Sequence, residues 1–149
     1  MNKLFILSTF FFVISFTSRA QTKEETIAWI TEKLQTHAGD WKVEVTKVTP
    51  CEISYVKKSK EINSYESREF QFNPSMSVWK KSTSDGFIAA ESGAIIKEVT
   101  KGSIFSNWNG TKYRSDLYLP KQGVLDIEER FAKALNHLAT FCEKKKETF

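Results

Sequence analysis

The sequence DIEERFAKALNHLATFC, residues 126–142, carries the strongest structural signal in the chain. Its large apolar side chains recur every three or four residues, the period of one face of an α-helix. The members of this stripe are Ile127, Phe131, Leu135, Leu138 and Cys142. Glu128 and Lys133 lie away from the stripe, and Asp126 with Glu129 forms a capping-box pattern. The segment predicts an amphipathic helix of about 17 residues that lies on a sheet or plugs a barrel.

A second helix is predicted over residues 23–38. Thr22 and Glu25 have capping-box spacing, and Gly39 is a typical helix stop. The apolar stripe consists of Ile27, Ile30, Leu34 and Ala38. Trp29 lies beside the stripe, so we expect it to pack at the margin of the core.

The region between the two helices reads as short strands. Trp41, Val43 and Val45 alternate with polar residues, the period of a strand with one buried face. The same alternation recurs at Cys51, Ile53 and Tyr55, and Phe70 and Phe72 point to one face. Further strands are predicted from Met76 to Trp79 and from Phe87 to Val99, the latter with a break at Ser92-Gly93. Six or seven antiparallel strands between two helices predict the α+β class and exclude βαβ units.

A hairpin is predicted near the end of this region. Ile104–Trp108 and Thr111–Leu119 flank Asn109-Gly110, a pair favoured in two-residue type I′ turns. This turn requires positive φ at both residues and places Trp108 opposite Thr111.

Two fold families resemble this order of elements. A bent antiparallel sheet or barrel of about seven strands, closed by a C-terminal helix, resembles pleckstrin-homology-like domains and is the preferred interpretation. The alternative is the helix-grip arrangement, in which the long C-terminal helix crosses a curved sheet. Pleckstrin-homology-like domains often bind phosphoinositides through a basic first hairpin loop. Here that loop, Lys47–Pro50, has a single Lys, so this activity is not carried over.

The C-terminal segment Leu125–Phe149, which contains EERFAKALNHLATFCEKKKETF, also resembles the tail of a known group. The group consists of small exported proteins of uncharacterised function from Bacteroidetes. This resemblance implies export and no particular activity.

The first 20 residues have the layout of a secretory signal peptide. Lys3 precedes the apolar run Leu4–Phe16, and Ser18-Arg19-Ala20 ends in a small-residue cleavage pattern. The run is shorter than the roughly 20 residues that span a bilayer as a helix. We therefore expect cleavage between Ala20 and Gln21 and a secreted or periplasmic protein.

Composition limits the classes of partner. The formal charge of +4 falls to +2 once Lys3 and Arg19 leave with the leader, which gives no argument for nucleic-acid binding. Residues 21–149 have the length of a single α+β domain. We expect a monomer without stable membrane insertion.

The two cysteines leave two alternatives open. Cys51 lies on an apolar strand face and Cys142 on the apolar helix face. In an oxidising compartment they can form one disulfide that holds the final helix to the sheet. Two separate buried thiols fit the same positions, because Cys is among the most buried residue types.

No catalytic, cofactor or metal motif stands out. His37 and His137 have no neighbouring His, Cys or carboxylate at metal-ligand spacing, so both are interpreted as structural or surface residues. Glu24-Glu25 and Glu128-Glu129 fall in first helical turns, where negative charge is stabilising. The basic clusters are interpreted as solvated turns, with an anion or headgroup patch as the alternative. They are Lys57-Lys58-Lys60, Lys80-Lys81 and Lys144–Lys146.

Three functional classes follow from these observations. The preferred one is a non-catalytic exported binding module for a small lipid-like ligand, a peptide or an envelope protein. The alternatives are a structural or inhibitor protein that acts through one surface patch, and an enzyme with a dispersed site. We expect a binding site where the sheet stays open, away from the final helix and lined by Trp79, Trp108 and Tyr113.

Overall fold

The computed structural model describes residues 21–37, 39–61, 65–103, 109–119 and 126–143. The helices are α1 (Lys23–Thr36) and α2 (Ile127–Thr140), with a short 3-10 turn at Pro74–Met76. The strands are β1 (Trp41–Thr49), β2 (Glu52–Ser59), β3 (Ser67–Phe72), β4 (Trp79–Lys81), β5 (Phe87–Ala90), β6 (Ile96–Lys101), β7 (Gly110–Arg114) and β8 (Asp116–Tyr118).

The strands form two antiparallel sheets. One has five strands in the order β1-β2-β3-β6-β7, and the other has three in the order β4-β5-β8. The predicted α+β class, with a helix at each end of the strand region, is confirmed. The described residues contain eight strands, against the six or seven expected. The preferred closed barrel is wrong, because no ladder among the described residues joins the two sheets.

A side chain of α2 explains why the sheets stay separate. Asn136 accepts a hydrogen bond from the backbone N–H of Trp79 at 2.8 Å and donates one to its carbonyl oxygen at 2.8 Å. These bonds satisfy the backbone of β4 on the edge that faces away from β5. Because both groups are occupied, β4 cannot pair there with a strand of the five-stranded sheet.

Helix α1 follows its sequence pattern closely. The backbone N–H of Glu25 donates to Thr22 Oγ1 at 3.1 Å, and the N–H of Thr22 donates to Glu25 Oε2 at 2.9 Å, so the predicted capping box is present. Ile30 and Leu34 are buried. Trp29 is half-buried with its ring centroid 5.8 Å from that of Phe131, which places it at the margin of the core as expected.

Helix α2 buries the predicted stripe against α1, β4 and β5. Four of its members, Ile127, Phe131, Leu135 and Leu138, have no exposed surface. Lys133 is exposed on the opposite face, as predicted. Complete burial of a large apolar side chain contributes about 1.5–3 kcal/mol relative to leaving it exposed, so these four residues are a main source of stability.

Two expectations about the start of α2 are wrong. Asp126 has a left-handed backbone with φ 60°, and its side chain makes no capping hydrogen bond. Glu128, expected on the solvent face, is fully buried and accepts a hydrogen bond from the N–H of Gly86 at 3.0 Å. The loop before β5 covers this first turn, so the carboxylate serves a backbone donor there and does not face water.

The cysteines are joined by a disulfide. Their sulfur atoms are 2.02 Å apart, and their Cα atoms are 5.1 Å apart. Cys51 lies in the turn between β1 and β2, and Cys142 lies two residues after α2 ends. Cys51 is exposed, so the alternative of two buried thiols does not describe its position. The bridge connects the C-terminal end of α2 to the five-stranded sheet.

The predicted hairpin differs from the observed one. Strand β7 pairs with β6, with Thr111 opposite Val99, and Gly110 already belongs to β7. Gly110 has φ 121°, but Asn109 does not have the positive φ of a type I′ turn. The Asn109 side chain instead bonds the backbone N–H and carbonyl of Ser103 at 3.0 and 3.1 Å, which closes a wider loop. The predicted partner strand Ile104–Trp108 lies outside the described residues.

Candidate functional site

Strand alternation brings two cationic side chains to the inner face of the five-stranded sheet. Ile53, Tyr55 and Lys57 are successive buried residues of β2, so Lys57 continues the face that carries the core. Lys57 lies directly opposite Arg68 of β3 in the ladder. Like charges at opposite positions destabilise a sheet, so the groups around this pair must offset their repulsion.

Carboxylates surround the arginines. Glu98 of β6, only 5% exposed, lies 3.7 Å from Arg68 and 3.1 Å from Arg114 of β7. Arg68 also pairs with Glu66 at 2.6 Å, and Arg114 pairs with Asp116 at 3.0 Å. Burial disfavours the charge of Arg114, but its contacts with Glu98 and Asp116 outweigh burial and raise its pKa. These ion pairs hold both guanidinium groups at fixed positions.

Lys57 is the third cation of this cluster, and its contacts differ from those of the two arginines. It is 8% exposed, and its Nζ is 3.4 Å from the carbonyl oxygen of Tyr118. Within the described part of the chain it forms no ion pair. Burial lowers the pKa of Lys57 from 10.5 to about 8, aided by the charges of Arg114 and Arg68 and opposed by Glu98.

The charged neighbours of Lys57 differ in how strongly they affect its amine. The two guanidinium groups lower the pKa of Lys57 more than Glu98 raises it. Among these charged neighbours, the two arginines therefore act on Nζ more strongly than the carboxylate does. A negatively charged group placed next to Nζ would gain from all three cations.

Aromatic rings line the apolar side of the cluster. The rings of Tyr55 and Phe70 stack with centroids 4.9 Å apart, and Lys57 Nζ is 5.9 and 5.6 Å from them. Arg68 Cζ is 4.9 Å from the ring centroid of Trp41. These distances suit cation–π attraction, which partly offsets the cost of burying the cations. Burial raises the pKa of Tyr55, so this phenol stays neutral.

Two spaces adjoin the cluster. An enclosed cavity of about 70 Å³ is lined by Lys57, Tyr55, Phe70 and Trp41 together with both arginines. A more open cleft of about 300 Å³ is lined by the same two arginines and by Glu98, Thr100, Lys112 and Tyr113. Below, "the basic cleft" means both spaces with Lys57, Arg68 and Arg114.

Of the three residues predicted to line a site, the structure describes Trp79 and Tyr113, which lie in different environments. Trp79 is 2% exposed, its indole N–H donates to the carbonyl oxygen of Pro74 at 2.9 Å, and its ring packs on Phe72. Trp79 is therefore a core residue and lines no open surface, so that expectation is wrong. Trp108 lies outside the described residues. Tyr113 is 65% exposed on the edge strand β7 and lines the basic cleft, where its role in binding stays a prediction.

The sequence interpretation missed Lys57, the central residue of this site. It placed Lys57 with Lys58 and Lys60 in a solvated turn. The signal that identifies its position is the alternation of Ile53 and Tyr55, which continues to residue 57 within β2. Lys58, on the opposite face of the same strand, is exposed and pairs with Glu44 at 3.0 Å.

The histidines take structural positions. His37 caps the C-terminal end of α1 and is buried, and His137 Nε2 lies 2.7 Å from the carbonyl oxygen of Gln21. No group of three His, Cys, Asp or Glu side chains in the described ranges is arranged to hold a metal ion. Neither described helix has the length and apolar composition that crossing a bilayer requires.

Comparison with known proteins yields no matching family model, no matching curated protein and no matching solved structure.

Proposed function

We propose that the mature chain is a non-catalytic binding module for a small ligand that carries an acid group. The observation that supports this most directly is the buried Lys57 side chain, which has no carboxylate partner among the described residues and lines a cavity together with Arg68 and Arg114. An unpaired buried charge is costly, and an incoming carboxylate or phosphate would offset that cost. Binding would thereby complete a charge arrangement that the free protein leaves incomplete.

The size and lining of the basic cleft favour a small ligand among the partner classes left open by the sequence. Its open part, about 300 Å³, is at the lower limit of small-molecule pockets, which span about 300–1,000 Å³. Its walls include the polar side chains of Thr100 and Lys112 and the ring of Tyr113. A compact acid with a short apolar or aromatic body fits this lining better than a long acyl chain.

Titration calorimetry at pH 7 in CO2-free buffer tests the proposal, with benzoate and phenyl phosphate as acidic probes and benzamide as the neutral control. Binding of the acids should weaken about 10- to 100-fold in Lys57→Met, the loss expected for a hydrogen bond to a charged group. Lys58→Met removes the neighbouring exposed lysine and should bind as wild type does. Equal binding of benzoate and benzamide would contradict the proposal, as would unchanged binding by Lys57→Met.

Native mass spectrometry of the protein purified from its own envelope fraction identifies the natural occupant. A bound acidic small molecule supports the proposal. A stoichiometric protein partner without such a molecule would overturn it in favour of a surface-acting structural or inhibitor protein.

An enzyme with a dispersed site is the second candidate, and one observation favours it. A lysine with a lowered pKa next to other cations is a typical nucleophile or base. Turnover of an envelope substrate by the pure domain, lost in Lys57→Met without a loss of stability, would decide for this alternative.

We further propose that the chain is exported after removal of residues 1–20. The order of charged start, apolar run and small-residue end supports this, and so does the Cys51–Cys142 bridge, since disulfides persist mainly in oxidising compartments. Intact-mass measurement should find Gln21, or its cyclised form, at the N-terminus. A full-length chain retained in the cytoplasm would contradict export.

We also propose a relationship to pleckstrin-homology-like domains and to the exported Bacteroidetes proteins, with fewer supporting observations. Consecutive antiparallel strands in two sheets, followed by a C-terminal helix, support the first. An experimental structure that superimposes on such a domain along the strand order would establish it, and a different order would exclude it.

A further inference from the structure

The Lys57 side chain lines a small cavity with a volume of about 70 Å³. One water molecule needs only about 10–15 Å³ on the same measure, so the cavity can hold a small polyatomic group. The aromatic walls formed by Tyr55 and Phe70 are packed against each other, which limits expansion of the cavity.

The electrostatics of this cavity select the charge of its occupant. Arg68 and Arg114 both line it, and their effect on Lys57 exceeds that of Glu98. Asp116 also lines it but is already bonded to Arg114. The two guanidinium groups that line the cavity can therefore stabilise a negatively charged product better than one that keeps or adds a positive charge.

Arg114 has N–H groups that remain available to donate hydrogen bonds to such a product. Three of its five N–H groups contact Glu98 and Asp116 within the described part of the chain. A small anionic group beside Lys57 could accept bonds from the remaining two.

The amine itself is available in its reactive form. A lysine reacts as a nucleophile only when it is neutral. Burial and the adjacent guanidinium groups lower the pKa of Lys57 to about 8. Roughly one tenth of the side chain is then neutral at pH 7, against less than about 0.1% for a lysine with an ordinary pKa.

We propose that Lys57 reversibly adds carbon dioxide to form a lysine carbamate in this cavity. The lone pair of Nζ forms an N–C bond to the carbon of CO2, and one C=O π pair becomes the charge on a carbamate oxygen. Nζ releases one proton to solvent, so the step needs no oxidant, reductant or leaving group. The three added atoms fit within the cavity, and the anionic product can contact the guanidinium groups of Arg68 and Arg114 that line it.

Other electrophiles fit less well. An aldehyde would give an imine, which is neutral or cationic and gains nothing from the two arginines. The inference does not depend on the proposed acid-binding function, because carbamate formation consumes the amine and would compete with an acid ligand.

The test is 13C NMR of the mature protein after addition of 13C-labelled bicarbonate at pH 8, compared with CO2-free buffer. Wild type and Lys58→Met should each show a carbamate carbonyl signal that is absent from Lys57→Met. A free N-terminal amine would add a signal of equal intensity in all three proteins. Absence of any lysine carbamate signal in wild type, or its persistence in Lys57→Met, would overturn the proposal.

Chemical trapping covers the case in which Lys57→Met does not fold. Alkylation of wild-type protein in bicarbonate converts a carbamate to a stable ester, which peptide mass mapping locates. The ester should be found on Lys57, at several-fold higher occupancy than on the exposed Lys58. Equal labelling of the two residues would show that the cavity does not direct the reaction.

Discussion

Replacing both cysteines by serine should remove a large part of the stability of the domain. Cys51 and Cys142 are 91 positions apart, so the bridge closes more than half of the chain into one loop. Chain-entropy theory assigns a crosslink over a loop of this length about 4.6 kcal/mol at 25 °C. Domains have total stabilities of about 5–15 kcal/mol, so the double variant should lose roughly a third or more.

Urea unfolding of three samples measures this loss: oxidised wild type, reduced wild type and the double Ser variant. The unfolding midpoint should fall by roughly 2 M for an m value of about 2 kcal/mol/M, and the reduced protein should match the variant. Cys51 is exposed and Cys142 is partly exposed, so the serine hydroxyls incur little desolvation cost. If the midpoints of oxidised wild type and the double Ser variant agree within roughly 0.3 M, the assignment of this stability to the bridge is refuted.

Three further perturbations test the core, the site and a turn. Phe131→Ala should lower the free energy of unfolding by roughly 3 kcal/mol, because its side chain is fully buried. The control Lys133→Ala, at an exposed position, should change it by less than about 0.5 kcal/mol. Equal urea midpoints for the two variants would show that α2 does not pack as described. Lys57 has its pKa lowered from 10.5 to about 8, so the wild-type chain carries a penalty of about 3 kcal/mol below pH 8 that fades between pH 8 and 10. Lys57→Met should therefore be more stable than wild type at pH 7, and a stability difference that stays constant up to pH 10 would contradict the burial of the charge. Gly102 has φ 70°, and a Cβ there would lie 2.5 Å from a backbone carbonyl oxygen, whereas Gly93 faces open space. Gly102→Ala should therefore lower the thermal midpoint by several degrees more than Gly93→Ala, and equal midpoints would show that this contact relaxes freely.

Both helices could be predicted from the sequence because their stripes are long and periodic. The cap of α1 was also predictable, since Thr22 and Glu25 satisfy each other locally. The same pattern at Asp126 and Glu129 failed because the backbone of Asp126 is left-handed. A capping pattern produces its hydrogen bond only when the backbone of the N-cap residue is extended. That conformation depends on the packing of distant residues.

The hairpin prediction failed for a related reason. Asn109-Gly110 suits a tight turn, but Asn109 has a competing use for its amide, which bonds the backbone of Ser103. Local propensity does not distinguish these two uses of an Asn side chain. The longer loop shifts the register, so Thr111 faces Val99 of β6 and not Trp108.

The class of fold was accessible from sequence, whereas the candidate site was only partly so. Alternation assigns Lys57 to the buried face of β2, but its carboxylate neighbours come from other strands. Glu98 and Arg114 meet there because β6 pairs with both β3 and β7. That long-range pairing is set by packing and has no local signature.

The amide of Asn136 has a consequence for the placement of α2 along the sheet. The apolar stripe repeats with each helical turn, so a shift of the helix by one turn, about 5.4 Å, would again set large apolar residues against the strands. Hydrophobic contact alone distinguishes poorly between these two positions. The two bonds of Asn136 to the backbone of Trp79 exist in only one of them, because both require contacts of 2.8 Å. The Asn136 side chain thus helps to define the axial position of the helix, together with the Glu128–Gly86 hydrogen bond and the Cys51–Cys142 bridge.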